Sequence, residues 1–150
     1  MKRLVITGIA AVASLALVAG ANGDGKRPTG SKTIRLQAKL ASIQPVDNAP
    51  AGESAGDLLV FAANLSEQGR QIGEITESCA LVTPPALYQC TATASLPKGT
   101  LAIAGRPDLS KEVSKGAITG GTGGYRRARG TVRTERLSET TERITFRILD

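Results

Sequence analysis

Apolar and polar residues alternate along this chain, and they never settle into a helical repeat. Across residues 33–41, Ile34, Leu36, Ala38 and Leu40 take every second position, separated by Arg35, Gln37 and Lys39. Successive side chains of a strand point to opposite faces, so this spacing predicts a half-buried β-strand over 33–44. The same period returns at Ile144, Phe146 and Ile148. Beyond residue 21, no stretch carries apolar residues at i, i+3, i+4 and i+7 over three turns, and no core helix is expected.

Further strand-like segments fall at 57–65, 70–82, 87–96, 99–105, 117–120 and 131–137, separated by turn residues. Glu67-Gln68-Gly69 closes a hairpin, Thr83-Pro84-Pro85-Ala86 is a second turn, and 45–55 is a loop. A loop with one helical turn is expected over 106–115. About eight strands in one domain fit an all-β, closed eight-stranded antiparallel barrel. A barrel of that size is either filled by side chains or just wide enough for one small ligand. Aromatics are only 3% of the chain, and many strand positions hold Ala, Gly, Thr or Ser. Small residues leave room for a cavity; alternatively they face a subunit interface or simply pack closely.

The N-terminus has the build of a secretory signal. Lys2 and Arg3 precede an apolar run from Leu4 to Val18, and Ala19-Gly20-Ala21 supplies an A-x-A cleavage site. The reading is a signal peptide over 1–21, a flexible leader over 22–32 and a barrel domain over 33–150, placed outside the cytoplasm. An uncleaved anchor is the rival, but the run is short for a span and holds Thr7, Gly8 and Ser14. No integral membrane span is expected after cleavage.

Charge is unevenly distributed. Residues 22–97 have a net charge of −1 and residues 98–150 of +5, with Arg126, Arg127, Arg129, Arg133 and Arg136 clustered in the basic part. Nucleic acid is not an expected partner, because single-strand binding needs stacking aromatics and the chain has only Phe61, Tyr88, Tyr125 and Phe146. The basic cluster reads either as a solvated strand face or as a contact with an anionic envelope surface.

Two cysteines in an exported chain suggest one disulfide. The Pro84-Pro85 turn is centred midway between Cys79 and Cys90, so a hairpin there sets the two directly opposite each other, near enough to bridge. With no His and only two Cys, soft ligands are too few for an ordinary zinc site, and neither a metal nor a cofactor is expected.

Residues 117–130, AITGGTGGYRRARG, contain five glycines and one aromatic. Glycine serves where φ is positive or backbones approach closely, so a tight reversal is expected at 120–124, with Tyr125 and Ala128 turned inward over it. This segment resembles the signature of the allene oxide cyclase and dirigent-like β-barrels, where a GGTG turn leads through an aromatic to an Ala-Arg-Gly step. Gly56-Asp57-Leu58-Leu59-Val60-Phe61 is similar to the family's GDLVPF segment, and Ile72 to Cys79 is similar to its VGITAGxC strand. The resemblance covers roughly 56–150.

It implies a barrel that confines a small hydrophobic molecule, with homodimers or homotrimers formed through barrel walls. Plant cyclases of the family close an unstable fatty-acid epoxide inside the barrel, assisted by an acid on the first strand. Residues 33–44 hold no Asp or Glu, the family's pocket Asn falls at Ala63 and its pocket Tyr at Pro107. Allene oxide cyclisation is therefore not expected. Dirigent proteins, the other branch, orient phenoxy radicals or quinone methides, and there Tyr125 and Arg129 would be the candidates.

Without His, acid or base chemistry must come from other side chains. Glu77 shares strand parity with Ile75, Cys79 and Leu81, whereas Glu74 takes the opposite face. Glu77 is thus the interior candidate, with an exposed rim position as the alternative; if buried, its pKa would rise as a general acid requires. Glu77 and Arg129 are the candidate catalytic residues, and Phe61, Ile75 and Tyr125 the candidate ligand contacts. The functional readings are a binding or guiding barrel for a small hydrophobic molecule, acting on its cyclisation or coupling, or a noncatalytic envelope-associated barrel with a basic interaction face.

Overall fold

The computed structural model describes residues 30–149. The expected signal peptide and most of the leader lie outside them. Eight strands follow in order: β1 (Ser31–Val46), β2 (Leu58–Glu67), β3 (Arg70–Thr83), β4 (Leu87–Leu96), β5 (Gly99–Gly105), β6 (Val113–Gly121), β7 (Arg129–Ser138) and β8 (Thr141–Leu149). Each pairs antiparallel with the next, and β8 returns to β1, closing an all-β barrel. Closure gives every strand two neighbours, and only strand ends such as residues 42–46 of β1 are left with one.

β1 makes the seam and runs longer than expected at both ends. Its residues 31–39 pair with β8, and residues 37–46 pair with β2, with an irregularity in register between Leu40 and Ser42. Pro45 was expected in a loop yet pairs with Leu59. By then β1 has left β8 and has a neighbour on one side only, so the missing N–H of a proline costs no ladder bond.

The hairpin turns behave as their residues dictate. Gln68 and Gly69 both have positive φ, 50° and 80°, the geometry of a two-residue turn matched to strand twist. Residues 106–112 form no helix. They close one turn by the Lys111 N–H bond to the Asp108 carbonyl, and Asp108 caps it through Ser110. β6 begins earlier than expected, because Val113 pairs with Glu135.

The glycine-rich segment seals one end of the barrel. β6 runs through Gly121, and the reversal comes after it as a single 3-10 turn, Gly123–Tyr125. Gly123 has a φ of +56°, and its backbone crosses so close to the β4–β5 turn that a Cβ would stand 2.5 Å from the Lys98 carbonyl oxygen. Gly124 donates its N–H to that same oxygen at 2.6 Å. Gly130 has a φ of +146°, and a Cβ there would collide with the Arg147 carbonyl oxygen. Tyr125 and Ala128 are buried over this closure, as their positions in the motif predict.

Two apolar clusters divide the interior. The larger joins Leu36, Leu65, Leu101, Ile118, Phe146 and Ile148 to Tyr125, filling the glycine-rich end. The smaller gathers Leu81 and Tyr88 about Cys79 and Cys90, with Leu59, Phe61 and Leu109 against it. Loops cover this second cluster: Asp57 accepts from Leu81 N–H, and Tyr88 donates to the Pro107 carbonyl. Among the described residues no helix is long and apolar enough to cross a membrane.

Candidate functional site

Side chains fill one half of the barrel and leave the other hollow. A cavity of about 480 Å³ opens at the end that carries the 106–112 loop and the β7–β8 turn. Small residues create it: Ala38, Ala63, Ala92, Gly105 and Gly116 face the lumen where larger ones would meet in the middle. Leu40, Leu59, Phe61, Ile75, Ile103, Val132 and Ile144 add an aliphatic and aromatic wall, while Lys111, Glu112, Arg136 and Glu139 make the mouth polar. The volume lies in the range of small-molecule sites, about 300–1,000 Å³.

Two carboxyl groups, on strands from different parts of the barrel, enter this space and lie close enough to influence each other. Glu77 enters from β3, in step with Ile75 and Cys79. Glu142 enters from β8, in step with Ile144 and opposite Ala38 of β1. Burial pushes Glu77 from the ordinary 4.5 to about 7, and the charge of Glu142 adds to the rise. Glu142 is raised too, again mainly by burial, while the Arg136 guanidinium opposes that rise. Arg136 pairs with Glu142 across β7 and β8, and its guanidinium donates to the Leu109 carbonyl at 2.9 Å, tying the 106–112 loop to the rim.

The two carboxyls sit in unlike environments. Burial and a like charge act on Glu77, whereas the Arg136 guanidinium favours the ionised form of Glu142.

Cys79 and Cys90 are directly opposed in the β3–β4 ladder, with Cα atoms 4.0 Å apart, and form a disulfide as the hairpin geometry predicts. It lies in the cavity wall beside Glu77, whose carboxyl oxygen and the two sulfurs lie within 4.8 Å of one another. Because the sulfurs are bonded to each other, the trio offers no thiolate to a metal.

Phe61, Ile75 and Glu77 therefore come together in one cavity. Tyr125 and Arg129 do not join them. Tyr125 is buried in the core at the sealed end, with the Lys32 ammonium 5.8 Å from its ring centroid, and Arg129 is exposed on the outer wall. Ala63 and Pro107, the positions of the missing family Asn and Tyr, do line the cavity, as apolar surface.

Neither Glu142 nor Thr134 is singled out from the sequence and Arg136 is read there only as part of the basic cluster, although Arg136 lines the cavity and a signal for each was present. Glu142 shares the parity of Ile144, Phe146 and Ile148, and Thr134 and Arg136 share that of Val132. Extending each inward stripe toward the strand end, by one step for Glu142 and Thr134 and by two for Arg136, identifies them.

Comparison with known proteins agrees with this architecture. The model of the family described as allene oxide cyclase barrel like domain matches residues 35–149. No curated protein matches the chain in sequence. Among solved structures, a pyocyanin demethylase superposes with a TM-score of 0.71 at 25% identity, over 78% of this chain and 99% of its own. A pterocarpan synthase dirigent protein gives 0.62 at 17% identity, over 79% of this chain and 83% of its own. The Diels-Alderase AbmU from Streptomyces koyangensis gives 0.62 at 14%, over 79% of this chain and 64% of its own. With the family model matched along nearly the whole barrel, from the middle of β1 to the end of β8, this chain belongs to the allene oxide cyclase barrel like domain family.

Proposed function

We propose that this is an exported barrel that confines one small hydrophobic molecule in its open half and guides a proton-dependent rearrangement of it, a cyclisation, coupling or tautomerisation. The observation that carries the reading is the pair of carboxyls, Glu77 and Glu142, set among apolar residues in a cavity of about 480 Å³ whose mouth is polar. A filled structural barrel would have no reason to hold two carboxyls in its lumen, where burial opposes ionisation. Solved barrels of the same fold include enzymes described as a demethylase and as Diels-Alderases, which supports chemistry by confinement.

Phe61 and Ile75 supply apolar contact in this reading. Glu77 donates a proton or hydrogen bond to an oxygen or nitrogen of the ligand, while Glu142 takes a proton from the other side. Arg129 and Tyr125, away from the cavity, have no part in the chemistry. The Cys79–Cys90 bridge and the apolar N-terminal run support export through an oxidising compartment.

The test is retention of a ligand. Native mass spectrometry of the protein purified from its own host should show a bound small molecule, and Ala63→Phe or Ala92→Phe should abolish that mass increment. Pyocyanin, named in the demethylase match, is the first added probe. A lumen that retains nothing from the host, and takes up neither pyocyanin nor an apolar naphthalene dye, would overturn the reading.

A further inference from the structure

The outer wall formed by β6, β7, β8 and β1 carries charge of predominantly one sign. Strand alternation turns Lys115, Arg129, Arg133, Arg143, Arg147 and Arg35 outward there, with Lys39 beyond them, and all seven are exposed. The register interleaves them in two dimensions. Arg133 lies between Lys115 and Thr145, and Thr145 pairs onward with Arg35; one step along, Arg147 sits between Thr131 and Thr33. With strands about 4.8 Å apart, the four strands present these bases over about 15 Å measured along the curved wall.

A single carboxylate answers them. Glu135 holds Arg133, and it holds Arg143 at 3.0 Å. Among the described residues, Arg35, Lys39, Lys115, Arg129 and Arg147 have no carboxylate within salt-bridge distance. The opposite wall is built from small neutral groups such as Ala62, Thr76, Ser78, Thr91 and Thr93. The excess positive charge of the C-terminal third is thus concentrated by the fold on one side of the barrel.

The wall carries no aromatic residue, which removes the stacking platform of a single-strand nucleic-acid binder. Its margins carry exposed aliphatics instead: Val113 and Leu137 toward one end and Leu149 at the other, 39%, 48% and 52% exposed. A convex array of bases rimmed by aliphatic side chains suits anionic headgroups with hydrocarbon beneath them. We infer that the β6–β7–β8–β1 wall docks the barrel onto an anionic phospholipid surface. The docked barrel lies on its side, with its cavity mouth at the level of the headgroups. This docking stands whether or not the cavity performs chemistry.

The experiment is co-sedimentation of the full chain with phosphatidylcholine vesicles made with and without phosphatidylglycerol. Binding should require phosphatidylglycerol and fall away in high salt, since the attraction is screened within a Debye length. Each base brought to such a surface is worth about fivefold in partitioning, so Arg35→Gln/Lys115→Gln/Arg147→Gln should lose about a hundredfold. Arg70→Gln/Lys98→Gln, which removes bases away from this wall, should bind like the parent, and Arg35→Lys/Arg147→Lys should retain binding. Thermal melts confirm that each variant is folded. The inference is overturned if binding ignores lipid charge, as insertion of the apolar N-terminal run alone would produce. Loss of as much binding in the Arg70/Lys98 control would overturn it as well, as would binding to dextran sulfate or DNA without binding to vesicles.

Discussion

Glu77→Gln should make the protein more stable at alkaline pH and leave it unchanged in acid. In the folded chain the Glu77 carboxyl titrates at about 7, and its ordinary value is 4.5. Below 4.5 the group is protonated whether the chain is folded or not, and it has no effect on the balance. Between 4.5 and about 7 the unfolded chain ionises while the folded chain keeps its proton, so the unfolded state binds fewer protons and stability falls as pH rises. Above 7 the cost is complete. At about 1.4 kcal/mol per pH unit, the gap between the two values corresponds to at most about 3–4 kcal/mol. Water entering the open mouth screens part of it, which brings the expected gain for the glutamine variant at pH 8 to about 1–3 kcal/mol.

At about 4 °C per kcal/mol for a barrel of this size, Tm should rise by about 4–12 °C at pH 8. The assay is a series of thermal melts of both proteins from acid to alkaline pH, with carbon-detected NMR titration of the Glu77 carboxyl as the direct check. Convergence of the melting curves in acid and their divergence through neutrality is the expected result. A difference that stays constant across the range, a glutamine variant less stable at pH 8, or a Glu77 midpoint near its ordinary value would each refute the reasoning.

Two further predictions concern the frame around the site. Cys79→Ala/Cys90→Ala should lower stability by about 2–3 kcal/mol, because the bridge closes a loop of about twelve residues in the unfolded chain; denaturant titration with and without a reductant measures it, and a parent insensitive to reductant would contradict it. Gly130→Ala should cost at least about 1–3 kcal/mol, since it places a side chain at a φ of +146° and drives it against the Arg147 carbonyl. Its chevron should show faster unfolding, and a variant as stable as the parent would rule out that backbone geometry.

Much of the fold can be read from local sequence. Leu87–Leu96 and Gly99–Gly105 begin and end where their turn residues place them, and the Pro84-Pro85 turn correctly opposes Cys79 and Cys90. Errors came where pairing is nonlocal. Pro45 looked like a loop residue until the seam gave it a single neighbour, and Val113 looked like loop until Glu135 of the next strand paired with it. Glu77 was legible as an inward residue from parity alone. Arg129 and Tyr125 were attractive for their place in a motif, and that motif turned out to shape the sealed end of the barrel.

By itself, the order of residues determined that the chain would form strands, where most of them reverse, which cysteines meet and which stripe of each strand turns inward, because each of these depends on neighbours a few positions away. Which inward residues surround empty space was decided only by closure of the barrel. Phe146, Leu65 and Tyr125 fill one half of the lumen, whereas Ala38, Ala63 and Ala92 leave the other half open. Glu77 and Glu142, on β3 and β8, come close enough to influence each other only when the ring of strands is complete. The rise in the Glu77 pKa follows mainly from the loss of water around it and secondarily from that meeting, and neither is a property of any single strand.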